Sequence, residues 1–119
     1  MKKIMVVEDE MIIAMSYTAE LRNASFEVPK TVCTGEEAVK IFSVINPDLI
    51  LMDITLKGKI DGIEAANQIL KVKKVPLIFM TGNSDIETKN RALAINPAGY
   101  MNKPINLNKM IYKIKKLLI

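Results

Sequence analysis

The 119-residue sequence contains no histidine, and that gap removes several chemistries at once. Neither a Ser-His-Asp nor a Cys-His catalytic arrangement can be built from it, nor zinc held by imidazole, nor a phosphohistidine carried on this chain. The single cysteine, Cys33, cannot close an internal disulfide or form a multi-cysteine metal site, and it reads as a small buried hydrophobe. No apolar run approaches the ~18 residues needed to cross a bilayer. The opening MKKIMVVEDE reaches an acid at Glu8, too soon for a signal peptide's apolar stretch. A soluble cytoplasmic domain with no membrane partner is therefore expected. Aromatic residues make up only 5% of the chain. Direct nucleic-acid binding is not expected either, despite a formal charge of +4.

What the sequence does hold is globular: 50% hydrophobic and 25% charged residues, enough for one domain over residues 1–119. Compact apolar runs lie at Ile4 to Val7, Leu49 to Met52 and Leu77 to Met80, and each ends on a polar residue: Glu8, Asp53 and Thr81. A fainter run, Glu27 to Cys33, is broken by Pro29 and suits an edge strand. Gly99 to Met101 is a short one. Between them lie helical patterns. Thr34 with Glu37, Ser84 with Glu87 and Asp61 with Glu64 read as capped starts, and Asn46-Pro47 and Asn96-Pro97 as ends. Leu107, Met110, Ile111, Ile114, Leu117 and Leu118 form one face of a last amphipathic helix that carries Lys109, Lys113 and Lys116 on another. The eight methionines read mostly as core filling. The order is βα five times over. That predicts an α/β fold, a doubly wound parallel sheet of five strands covered on both faces.

In such sheets the functional crevice lies outside the carboxyl ends of the strands. Glu8 and Asp9 follow the first strand, Asp53 the third, Thr81 the fourth and Lys103 the fifth. Three acids brought together repel one another unless a cation sits among them. Oxygen ligands without histidine or thiolate suit Mg²⁺. A carboxylate at a strand end can attack a phosphoryl group and form an aspartyl phosphate. A metal and the Lys103 ammonium would then neutralise the phosphoryl oxygens, with the Thr81 hydroxyl on a third and Gly82 leaving room beside it. Each residue alone has a plainer reading: Asp53 as a helix cap, Thr81 as a turn residue, Lys103 as a solvated lysine, Tyr100 as packing. Their common register at strand ends favours the chemical one.

The segments Val6-Val7-Glu8-Asp9-Glu10, Pro47-Asp48-Leu49-Ile50-Leu51-Met52-Asp53, Asp61-Gly62-Ile63-Glu64, Thr81-Gly82 and Lys103-Pro104 resemble a response-regulator receiver domain over the whole chain. The resemblance implies a flavodoxin-like (βα)5 fold with strand order 2-1-3-4-5. It implies Asp53 as phosphoacceptor, and Mg²⁺ held by Asp9, Asp53 and the Thr55 backbone carbonyl, with Glu8 acting through water. It implies Thr81 and Lys103 on the phosphoryl group, a cis Lys103–Pro104 peptide, and Tyr100 as an aromatic switch that follows Thr81. The donor would be a sensor histidine kinase or histidine phosphotransfer protein, and the domain would assist its own phosphorylation and dephosphorylation. The segment Asp53 to Gly62 is one residue longer than the commonest form and lacks its usual proline; it is similar to a variant associated with sensor-kinase and sensory-domain proteins. Thr55 and Asn83 stand where family members vary.

Two further functions fit the pattern less well. A phosphorylation-independent module would keep the fold and bind through its basic face. Lys109, Lys113, Lys115 and Lys116 of the last helix, with Lys71, Lys73 and Lys74, read most simply as solvated, and the sharper reading is a docking surface on the last helix for an acidic output partner. A small flavin protein is suggested by Thr81-Gly82-Asn83-Ser84. Yet the loop after the first strand, where a flavin phosphate would sit, is acidic.

Overall fold

Three apolar runs become central strands because both of their faces are covered. The computed structural model describes residues 1–82 and 85–119. Among these, β1 (Ile4–Val7), β2 (Thr31–Val32), β3 (Leu49–Asp53), β4 (Leu77–Thr81) and β5 (Gly99–Asn102) form a parallel sheet in the order β2-β1-β3-β4-β5. They alternate with α1 (Met11–Asn23), α2 (Gly35–Ile45), α3 (Gly62–Val72), α4 (Ile86–Leu93) and α5 (Leu107–Leu117). The doubly wound architecture expected from the sequence pattern and the strand order implied by the resemblance are both present.

Successive strand residues point to opposite faces, and here each face meets helices. Met5, Val7, Ile50, Met52, Leu77 and Phe79 pack with Phe42 of α2 and Ile63 and Ile69 of α3. Ile4, Val6, Leu49, Leu51, Ile78 and Met80 pack on the other side with Tyr17 and Leu21 of α1 and Met110 and Ile114 of α5. The predicted apolar face of α5 thus lies on the sheet. Met5, Met52, Met80 and Met110 fill the core, but Met11 and Met15 stand exposed on α1.

Helix starts follow local chemistry. Thr34 Oγ1 accepts from the Glu37 N–H at 3.1 Å, Asp61 Oδ1 from Glu64 at 2.9 Å, and Asn106 Oδ1 from Lys109 at 3.0 Å. The predicted cap at Ser84 lies outside the described residues, as does Asn83; Asp85 is the cap of α4, accepting from the Glu87 N–H at 2.9 Å. Asn46 and Asn96, in the left-handed region at φ 50° and 56°, turn the chain where helix ends were expected. Helix α4 has a single buried residue, Ala92.

Two expectations need correction. Only Thr31–Val32 of the run Glu27 to Cys33 forms a strand, with Glu27 bridging Lys3 separately. Pro29 stands between them and cannot donate to a ladder. Cys33 is exposed rather than buried, because it lies just past the end of the short outermost strand.

Candidate functional site

The strand order reverses between β1 and β3, so the chain leaves these neighbours in opposite directions and opens a crevice at their carboxyl ends. Val7 pairs with Met52, which puts Glu8 beside Asp53. Thr81 pairs with Asn102, which puts Lys103 one residue beyond the edge of the sheet. Glu8, Asp53 and Thr81 are buried there. Residues remote in sequence therefore meet at one edge.

Lys103 Nζ bridges the two buried acids, at 2.8 Å from Glu8 Oε1 and 3.0 Å from Asp53 Oδ2. The other oxygens of these two acids, and one of Asp9, take backbone donors. Glu8 Oε2 accepts from the Glu10 N–H at 3.2 Å, and Asp53 Oδ1 from the Thr55 N–H at 3.1 Å. Asp9 Oδ2 accepts from the Lys57 N–H at 3.1 Å. The Lys103 backbone N–H donates to the Thr81 carbonyl at 2.8 Å, and the Lys103–Pro104 peptide is cis. Tyr100 is partly buried against the core, its hydroxyl buried without a partner among the described residues. The Lys89 ammonium lies 5.9 Å from its ring centre.

The electrostatics follow from this crowding. Burial pushes the Glu8 carboxyl up to about 7, opposed by the Lys103 hydrogen bond and reinforced by the charge of Asp53. Burial alone would lower the Lys103 ammonium, but its bonds to Glu8 and Asp53 outweigh that and hold it above the usual lysine range. Burial also raises the nearby Tyr17 phenol to about 12, against the pull of Lys103.

A ligand oxygen from each of Glu8, Asp9 and Asp53 lies within 4.8 Å of the others. One ammonium offers too little positive charge for three neighbouring carboxyl groups. The surplus of negative charge, on a donor set made only of hard oxygens, fits a divalent cation such as Mg²⁺. Thr55, exposed at the head of the following loop, is the fourth candidate contributor, through its backbone carbonyl. Beside Thr81 there is space: a Cβ on Gly82 would meet no heavy atom of the described residues within 4 Å, its chain neighbours aside.

Two residues have roles at the site that were not identified from the sequence. Gly62 starts α3 directly against β3, and a Cβ there would overlap the Asp53 carbonyl oxygen. Gly62→Ala is expected to push the Asp53 backbone out of place and cost about 1–3 kcal/mol in urea unfolding. An alanine variant as stable as the wild type would refute that close approach. Glu36 is the other. It reaches from α2 to the loop after β3 and accepts from the Lys59 N–H at 3.1 Å and the Ile60 N–H at 3.3 Å.

Comparison with known proteins agrees with this geometry. Residues 4–115 match the family model for the response regulator receiver domain. The chain is 29% identical over 114 residues to the transcriptional regulatory protein PdtaR of Mycobacterium tuberculosis, covering 96% of this chain and 55% of that protein. It is 33% identical over 118 residues to the alkaline phosphatase synthesis transcriptional regulatory protein PhoP of Bacillus subtilis, covering 98% and 48%. The chain thus spans about half the length of these two regulators. Among solved structures, the signal receiver domain of a modulated diguanylate cyclase from Desulfovibrio desulfuricans superposes with a TM-score of 0.91 at 33% identity, covering 98% of this chain and 92% of that one.

Proposed function

The chain belongs to the response regulator receiver domain family, and from that premise we propose that it is the phosphoacceptor switch of a two-component phosphorelay, a single receiver domain over residues 1–119 with Asp53 as acceptor. The observation that carries this reading is the placement of Asp53. It is buried at the sheet reversal, within reach of two further acids and bonded to an ammonium.

An Asp53 carboxylate oxygen attacks the phosphorus of a phosphohistidine on a partner kinase or phosphotransfer protein. The P–N bond breaks with its electron pair going to the imidazole, which leaves neutral because its other nitrogen holds a proton. Glu8, Asp9, Asp53 and the Thr55 carbonyl would hold Mg²⁺, which when bound supplies positive charge to the acids and the phosphoryl oxygens. Lys103 already spans Glu8 and Asp53, so a short shift of its ammonium brings it onto a phosphoryl oxygen. The Thr81 hydroxyl takes another, and Tyr100, one strand over, responds to that movement. Output changes only as far as a partner prefers one of the two states.

Partner surfaces are part of the proposal. Met11, Ile12 and Met15 of α1 are 74%, 83% and 63% exposed directly after the acid pair, an apolar strip suited to a phosphodonor. Beside it runs a groove of about 500 Å³ lined by Ile12, Ile13, Pro104 and Ile105. The lysines of α5 remain the candidate surface for an acidic output partner. Among the described residues no helix is long and apolar enough to cross a membrane.

The test is incubation with acetyl phosphate followed by intact mass measurement. A single phosphoryl adduct is expected with Mg²⁺ and none with the cation chelated. An unmodified protein in both, or equal modification in both, counts against the proposal.

A further inference from the structure

The loop joining β3 to α3 has its backbone held by three carboxylates. Asp53 takes the Thr55 N–H and Asp9 the Lys57 N–H, while Glu36 takes those of Lys59 and Ile60. The first two belong to the acid cluster. Glu36 does not; it stands in the first turn of α2, where its charge also complements the helix dipole. The bonds from Lys59 and Ile60 hold its carboxyl below the usual carboxylate range. Gly58 is shaped to this contact twice over. Its φ is +107°, and a Cβ there would fall 2.7 Å from Glu36 Oε2 and 2.9 Å from Oε1.

We infer that Glu36 is a positioning residue for the cation site, fixing the loop that carries Thr55 without itself being a ligand. This rests on the reading of Glu8, Asp9 and Asp53 as a divalent-cation site. A cation there draws on the same two carboxylates, Asp53 and Asp9, that now accept from Thr55 and Lys57. Those two ties weaken as the site fills, just when the Thr55 carbonyl must hold still. The Glu36 bonds lie farther along the loop, compete with nothing at the site, and are charge-assisted. The backbone bridge between Thr34 and Lys57 helps, and it too is anchored on the α2 side. This loop therefore has a brace supplied by α2.

The test compares the full chain with Glu36→Ala and Glu36→Gln, using Mg²⁺ itself as the probe in titration calorimetry. Amide exchange and the urea midpoint are measured alongside. In Glu36→Ala the Lys59 and Ile60 amides should exchange faster. Its Mg²⁺ affinity should fall several-fold, up to the roughly tenfold loss typical of groups that orient metal ligands. The urea midpoint should barely move, since Glu36 is exposed. Glu36→Gln keeps one acceptor oxygen and should recover part of the affinity. Unchanged Mg²⁺ affinity in Glu36→Ala, a glutamine variant no better than alanine, or a loss that merely follows lowered stability overturns the inference alone. A wild type that binds no Mg²⁺, or binds it equally well as Asp9→Asn, overturns the cation reading and this inference with it.

Discussion

Asp53→Asn is expected to abolish phosphoryl uptake from acetyl phosphate while leaving the fold intact. Asparagine has nearly the shape of aspartate, but its amide is not a nucleophile at neutral pH. Loss of an essential nucleophile costs on the order of a thousandfold or more in rate, which reads as no adduct on the time scale of wild-type labelling. Stability should not fall. Asp53 adds repulsion to a Glu8 carboxyl already raised to about 7, and a neutral side chain removes that contribution. The measurement is intact mass, peptide mapping of any adduct, and circular dichroism to establish folding. An adduct surviving on the Asp53-containing peptide, or wild-type labelling mapped to Asp9, would sink the acceptor assignment. The same variant separates a switch from a phosphorylation-independent binding module: the module's partner affinity would ignore both the phosphoryl donor and the substitution.

The parts legible in the sequence were those that depend on local pattern. Strands β1, β3 and β4 are buried at every position, so they appear as unbroken apolar runs and their boundaries are plain. The capping threonine and aspartate of α2 and α3 are visible because they act across three residues. The edge of the sheet was harder. Phe26, Val28 and Val32 are all buried, yet only the last is in a strand, because apolarity reports burial and not ladder pairing. Cys33 misled for a similar reason: residue type favours the interior, and position decided otherwise.

The candidate site divides along the same line. Its residues stand out because each ends or follows a strand, and their roles came from the resemblance. What binds them together is long-range: Lys103 to Glu8 spans 95 residues, Lys57 to Asp9 spans 48, and Lys59 to Glu36 spans 23. No periodicity encodes such contacts. Glu36 sits in the first helical turn, where acids are favoured for the helix dipole alone, so its second use was hidden behind an ordinary one. Gly62 was visible within Asp61-Gly62-Ile63-Glu64, but its close approach to Asp53 was not, since that contact joins a helix start to another element.

Lys103→Ala is expected to destabilise the metal-free protein, and the pH dependence of that loss identifies its cause. Removing the ammonium leaves Glu8 and Asp53 buried with no cationic partner. Breaking a fully buried pair costs about 3–5 kcal/mol. The Lys103 side chain keeps 20% of its exposure, so about 2–3 kcal/mol near pH 8 is expected. The sign of the pH effect follows from Glu8. Its carboxyl is raised from 4.5 to about 7 even with Lys103 present, and losing that hydrogen bond raises it further. Between 4.5 and the folded-state value the native protein holds more protons than the unfolded chain, so stability falls as pH rises through this window. In the wild type the fall ends near pH 7, whereas in Lys103→Ala it continues higher, and the gap between the two widens from pH 5 to pH 8. Mg²⁺ should narrow it at pH 8, because a cation bound to the acids replaces charge the lysine supplied. Urea unfolding at both pH values, with and without Mg²⁺, measures each part. A loss equal at pH 5 and pH 8 and indifferent to Mg²⁺ would mean that Lys103 contributes the packing of its stem rather than its charge, and the electrostatic account of the site would fail.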